Sequence, residues 1–285
     1  MQNDRPLRKM PSAKTAAEFF ARQPFCREWI AQFCLYFTDI GVNFSYDIAT
    51  NGELWLLHTL GSRRPATILD IGANVGDWTA RAIKAFPQAR IFSFEPNPPV
   101  YKELSDRMAD AKSVTALPMA IGTTTGTAIL NVQSGPHSGV SSLTKFAHHD
   151  CAVEVQTIRG DEWLATSGLG HVDFMKLDVE GHELAAMKSF SGAFARGRVD
   201  VVQFEFAVPN PHERIFLRDI YDFAEANNYL VGRLYQDFVL FKPYEIRDEW
   251  WHGPNYVLCL ASNKATVALL ESSGKRFHMR YLSLN

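Results

Sequence analysis

From Pro65 onward the chain alternates short apolar runs with amphipathic stretches, the rhythm of βαβ units built on a mainly parallel sheet. Seven runs predict core strands: Thr67 to Ile71, Arg90 to Phe94, Val114 to Met119, Val172 to Leu177, Val199 to Phe206, Tyr229 to Leu234 and Tyr256 to Ala261. Between them, Trp78, Ala82, Ile83 and Phe86 share one helical face, as do Val100, Leu104 and Met108, and then Phe216, Ile220, Phe223 and Ala224. Two further alternating runs, Thr127 to Val132 and Ala152 to Ile158, interrupt the rhythm and predict added strands framing a loop. Ahead of this region, Trp29, Ile30, Phe33, Tyr36 and Phe37 fall on one helical face. The expected organisation is a helical extension or lid over residues 1–64, followed by one α/β domain over residues 65–285.

The strongest local signal is Ile68-Leu69-Asp70-Ile71-Gly72-Ala73-Asn74-Val75-Gly76-Asp77-Trp78. An apolar strand ends in a tight turn that opens a helix, and two glycines remove the Cβ atoms that would hold a ligand off the backbone. A dinucleotide site would carry G-x-G-x-x-G here, whereas this loop is Gly72-x-x-x-Gly76, so nicotinamide binding is demoted. Glu95 ends the next strand, 25 positions after Asp70. A carboxylate there can accept hydrogen bonds from both hydroxyls of a ribose. Met119-Ala120-Ile121-Gly122 closes the following strand with a small apolar ledge suited to an adenine.

These blocks, Leu69 to Gly76, Phe94-Glu95-Pro96-Asn97-Pro98, and Phe174-Met175-Lys176-Leu177-Asp178-Val179-Glu180-Gly181-His182-Glu183, resemble the FkbM family of S-adenosylmethionine-dependent methyltransferases. Ser138 to Leu143 and Thr157-Ile158-Arg159-Gly160-Asp161 also fit that family's pattern, so the resemblance runs from about Pro65 to Phe241. It implies a Rossmann-like class I fold with a seven-stranded, mainly parallel sheet flanked by helices. It also implies O-methyl transfer to a natural product, sugar or glycan. By position, Asp70, Gly72, Asn74, Gly76 and Glu95 would bind S-adenosylmethionine, with Ala73, Ala120 and Ile121 completing its pocket and Asp178 beside the reacting methyl.

An alcohol is a poor nucleophile until its proton is leaving, so hydroxyl transfer asks for a positioned base or an acidifying metal. The candidates at strand ends are Asp178, His182 and Glu205. Asp178 and Glu205 together could hold a divalent cation such as magnesium, or one of them could act as base. Lys176, two positions before Asp178, should share its strand face and pair with it; Glu183 is placed to offset a helix dipole. His137, His148 and His149 lack metal-site spacing and read as a solvated loop. Trp250 and Trp251 could stack on a ring or sugar, or be buried against the sheet or a partner subunit. N-methylation of a small molecule and a catalytically silent binding module remain as the competing readings.

Composition adds mainly exclusions. The chain has 285 residues, of which 46% are apolar, enough for one substantial core. With 29 basic and 31 acidic side chains the net charge is -2, so no overall positive field draws it to nucleic acid. No apolar run is long enough for a membrane span, and the amino-terminal residues lack the apolar stretch of a signal peptide, so a cytoplasmic protein is expected. Cys26, Cys34, Cys151 and Cys259 are scattered, as expected of reduced structural thiols. The expected partners are a small-molecule or carbohydrate acceptor and a second copy in a homodimer.

Overall fold

A computed structural model describes residues 33–34, 43, 45, 47–133, 141–143 and 150–271. The chain divides into two compact units, Met1–Val42 and Asn43–Asn285. Of the first, Phe33 and Cys34 are described, both helical and exposed; Trp29, Ile30, Tyr36 and Phe37 lie outside the described residues.

The second unit runs α1 (Glu53–Gly61), β1 (Thr67–Ile71), α2 (Asp77–Ala85), β2 (Arg90–Phe94), α3 (Pro98–Met108), β3 (Val114–Leu117), β4 (Ala120–Ile121), β5 (Gly126–Val132), β6 (Ser141–Ser142) and β7 (Cys151–Ile158). It continues with α4 (Gly160–Ser167), β8 (Val172–Leu177), α5 (Glu183–Ser189), α6 (Ser191–Ala195), β9 (Val199–Ala207), α7 (Pro209–His212), α8 (Leu217–Ala226), β10 (Tyr229–Leu234), β11 (Val239–Phe241), β12 (His252–Leu260) and α9 (Lys264–Glu271).

Eight strands form the main sheet in the order β11-β10-β12-β9-β8-β1-β2-β3. The pairs from β9 to β3 are all parallel, while β12 inserts antiparallel between β9 and β10. The seven expected strands are all present, and the eighth, β11, is a short antiparallel edge strand on β10. The order reverses at β1, whose neighbours are β2 and β8, and ligands in open α/β sheets bind outside the carboxyl ends at such a switch. The added strands β5 and β7 pair antiparallel in a second sheet of order β4-β7-β5-β6.

β1 is buried at all five positions, as expected of a strand covered on both faces. Alternation then sorts its side chains. Ile68, Phe174, Val201 and Val257 pack under Leu56, Leu57 and Leu60 of α1 and Trp78 and Ala82 of α2. On the opposite face Leu69, Ile71, Met175, Leu177, Val202 and Phe204 pack under α5, α6 and α8. In α3, prolines at the first turn cost no hydrogen bond, and Val100, Leu104 and Met108 are buried as their spacing predicts. In α8, Ile220 and Ala224 are buried as expected, but Phe216 is 52% exposed because it precedes the helix as its cap in extended conformation. Phe223 packs edge-on against Phe194.

Among the described residues no helix is long and apolar enough to cross a membrane. Cys34, Cys151 and Cys259 are free thiols.

Candidate functional site

At the carboxyl edge of β1, β2 and β8 the described residues line a cleft that opens to solvent. Ile71, Gly72 and Asn74 form its floor, Glu95 and Pro96 one wall, Met119, Ala120 and Ile121 a ledge, and Ser141, Ser142 and Leu143 a cover. Asp178, Val179, Glu180 and His182 close the far end. The residues Gly72, Asn74, Glu95, Ala120, Ile121, Asp178 and His182, singled out from sequence, therefore meet around one cavity.

The loop after β1 is laced to the end of β2 through its backbone. Gly72 and Ala73 both donate to the carbonyl of Phe94, at 3.0 and 2.9 Å. Gly72 has φ +84°, and a Cβ there would run into the carbonyl oxygen of Asp178, so β1 and β8 can approach this closely only through a glycine. Asn74 also takes a left-handed conformation, φ +50°, with its side-chain oxygen accepting from the N–H of Val75 at 2.7 Å. Gly76 takes φ +84° at the start of α2, a conformation L residues rarely adopt, and a Cβ there would also crowd the side-chain tips of Leu104 and Met108. Neither Gly76 nor Ala73 lines the cleft, and Ala73 packs with Leu104 and Met108.

Glu95 is held from both sides. Its carboxylate oxygens accept the backbone N–H groups of Asn74 at 3.0 Å and Asn97 at 2.9 Å. Each oxygen keeps a second lone pair, so the side chain can still accept two hydroxyls. Burial pushes its pKa up to about 7, against the lowering effect of those two N–H bonds. Asn97 in turn donates to the hydroxyl of Ser141 at 3.1 Å, and the Ser142 hydroxyl donates to the carbonyl of Glu180 at 2.7 Å, which ties the cover to both walls.

Beneath the cleft a row of polar side chains crosses four strands. Register places Ser93 opposite Asp70, Asp70 opposite Lys176, and Lys176 opposite Gln203. Asp70 is fully buried and does not line the cleft; one oxygen accepts from the Thr79 hydroxyl at 2.5 Å, and the other has no hydrogen-bond partner among the described residues. Desolvation raises its pKa, opposed chiefly by Lys176. Lys176 donates to Asp178 at 2.8 Å, the pairing its spacing predicts. Burial works to lower the lysine's pKa, but the surrounding charges of Asp178, Asp70 and Glu53 outweigh it and hold the ammonium protonated.

The segment from Asp178 to Glu183 is a hydrogen-bonded turn. Glu183 is buried and does more than offset a dipole: one oxygen accepts from Val179 and Gly181 at 3.2 and 3.1 Å, the other from the Asn210 amide at 3.0 Å. Gly181 sits against Pro209, where a Cβ would not fit. Glu180, which sequence reasoning did not select, adopts φ +53° and lines the cleft. Burial, with Asp178 and Glu183 nearby, raises its carboxyl to about 8. Burial depresses His182 below the ordinary imidazole value despite Glu213, and its buried Nδ1 has no partner among the described residues. Glu205 lies one strand over, on the β9 face shared with Asp178, and does not line the cleft. Burial and the charges of Asp178, Glu180 and Glu183 raise its pKa well above the usual carboxylate range.

These carboxylates do not converge as metal ligands. Among the described residues the one trio with that geometry is His171, Asp173 and Asp200, at the opposite edge of the sheet, where Asp173 already accepts from Ala66 and Thr67 at 3.0 and 2.9 Å. The divalent cation expected at Asp178 and Glu205 finds no support in this arrangement. His137, His148 and His149 lie outside the described residues.

The mainly parallel sheet flanked by helices, with its cleft at the switch point, is the Rossmann-like class I methyltransferase fold. The model of the methyltransferase FkbM domain matches residues 70–236, more than half of the chain, and the chain belongs to that family. It is 26% identical over 139 residues to a protein of Haloferax volcanii named hexuronic acid methyltransferase AglP, across 49% of this chain and 56% of that one. To the 2-O-methyltransferase NoeI of Sinorhizobium fredii it is 27% identical over 131 residues, 41% of this chain and 54% of the relative. The chain thus spans little more than half the length of these curated relatives. Among solved structures, the O-methyltransferase TomG of Streptomyces achromogenes in complex with SAM superposes loosely, with a TM-score of 0.41 and 13% identity over 73% of this chain and 79% of that one.

Proposed function

We propose that this protein transfers a methyl group from S-adenosylmethionine to a hydroxyl of a sugar or small natural product. The observation that carries the reading is Glu95: a buried carboxylate, fixed by two backbone N–H groups, that still offers two lone pairs to the cleft it lines. Met119, Ala120 and Ile121 give the adenine an apolar ledge, and Gly72 and Asn74 leave room for the methionine part. Asp178 at the far end faces the donor's positive charge, and the relatives' names extend the same activity to sugars.

When bound, the donor supplies an already electrophilic methyl on a good leaving group, so the protein's part is alignment and proton removal. Lys176 fixes Asp178, leaving the carboxylate oriented at the cleft. His182, neutral at physiological pH because burial lowers its pKa, accepts the acceptor's proton. The test is to incubate the protein with donor labelled in its methyl carbon and a panel of hydroxylated and amino acceptors. The reading expects O-methyl resonances in the product; N-methyl resonances alone would overturn it, and donor binding without transfer to any acceptor would favour a silent module.

A further inference from the structure

The cleft ends at Asp178, but the polar surface of the edge does not. Lys176 pairs in register with Gln203, so Asp178 and Glu205, each two residues further on, project from the same face of neighbouring strands. Across the next pairing Asn255 lies opposite Glu205 and His252 opposite Ala207, which puts both on that face too. The register shift between His252 and Asn255 falls at Gly253 and Pro254, and it bends the start of β12 as bulges do beside sites. His252 stacks on Trp250 with ring centroids 4.6 Å apart and planes 28° from parallel.

The hydrogen bonding of this corner is informative. Gln203 donates through its amide nitrogen to Glu53 at 2.7 Å and to the side-chain oxygen of Asn255 at 3.1 Å. A carboxylate only accepts, so the Gln203 nitrogen must face Glu53, and Asn255 must therefore turn its oxygen inward and its NH₂ outward. No hydrogen bond or ion pair to the Glu205 carboxyl is made among the described residues, and the indole N–H of Trp250 has no partner there either. One acceptor carboxyl, one amide donor and one indole N–H are left over, beside the Trp250–His252 stack, next to Asp178 and outside the donor cleft.

We propose that Glu205, Asn255 and the Trp250–His252 stack form the acceptor subsite, and that it takes an uncharged pyranose ring rather than an anionic sugar. This rests on the donor reading given above, because it places the acceptor beyond the methyl end of the cleft. A pyranose has an apolar C–H face that suits the stack and hydroxyls that both donate and accept, matching Glu205 and Asn255. Burial and mutual proximity raise the carboxyls of Glu180, Glu183 and Glu205, so this corner already disfavours negative charge, and a uronate carboxylate would meet the same penalty.

The experiment uses the full chain saturated with S-adenosylhomocysteine. Methyl glycosides of glucose, mannose, galactose, fucose and rhamnose are titrated against glucuronate and galacturonate, with saturation-transfer NMR as the readout. At least one uncharged glycoside is expected to bind about tenfold or more tighter than either uronate. Trp250→Ala should weaken that binding by about tenfold, with Trp250→Phe recovering most of it. Affinity for S-adenosylhomocysteine, followed by calorimetry, should stay within about twofold in both variants. Tighter uronate binding, glycoside binding indifferent to Trp250→Ala, or no sugar binding on a donor-loaded protein would each overturn the subsite and leave the donor reading standing. Failure of S-adenosylhomocysteine to bind would overturn both.

Discussion

The two halves of the sheet's carboxyl edge are built in different ways. On the β1–β2–β3 side each feature comes from a short continuous block: a glycine turn, then a carboxylate at a strand end, then an apolar ledge. Much of the geometry there is backbone, with Gly72, Ala73, Asn74 and Asn97 contributing N–H groups. On the β8–β9–β12 side the polar groups come from Glu53, Lys176, Gln203, Glu205 and Asn255, brought together only because β12 inserts antiparallel and α1 packs over the sheet. On the proposed reading, a cofactor of fixed shape would be met by local, backbone-dominated structure, while the face left for a variable acceptor is made of side chains that can change one at a time.

The largest expected effect breaks the boundary between the halves. Removing the proposed proton acceptor with His182→Ala should lower kcat by about 10²–10⁴-fold, while donor affinity changes little. Steady-state kinetics alongside donor titration separates the two; equal loss in both would show a binding or folding role instead. Asp178→Asn should weaken donor binding as well as lower turnover, because it removes the charge that Lys176 orients at the cleft.

Next comes Gly72→Ala, which forces a Cβ toward the Asp178 carbonyl at a backbone conformation L residues avoid. A loss of about 1–3 kcal/mol is expected from urea unfolding midpoints. Unchanged stability would mean β1 and β8 can separate at this edge without cost.

A smaller effect follows pH. Glu95 and Glu183 titrate near 7 in the folded protein and Glu180 near 8, against an ordinary 4.5. A carboxyl whose folded value is raised holds its proton more tightly folded than unfolded. Its contribution is full below 4.5 and is lost as pH rises through 7 to 8. Ligand-free protein should therefore melt at lower temperature near about pH 8.5 than near about pH 5.5, and the cationic donor should narrow the gap. A ligand-free Tm that is level across that window would contradict the burial of these groups.

How far each half could be read from sequence follows from the same contrast. The strands β1, β2, β8 and β10 match the apolar runs residue for residue, and Glu95 is found from its place at a strand end. β11 escaped because three residues are too few to show alternation. Glu180 escaped because its role depends on a left-handed backbone: the adjoining Gly181 marks a turn but does not say which side chain faces the cleft. Glu53 escaped for a topological reason, its partner Gln203 lying 150 positions away. Asp70 has the spacing of a donor ligand, yet it lies below the cleft and bonds to Thr79. Strand-end position identifies a neighbourhood, and strand register decides which residues line it.

The most direct test of the donor site is calorimetric titration of S-adenosylmethionine into the wild-type protein and Glu95→Ala. One-to-one binding is predicted, weakened by about 1–3 kcal/mol in the variant through loss of charged hydrogen bonds. Absence of binding to the folded wild type, or equal affinity in the two proteins, would contradict the assignment.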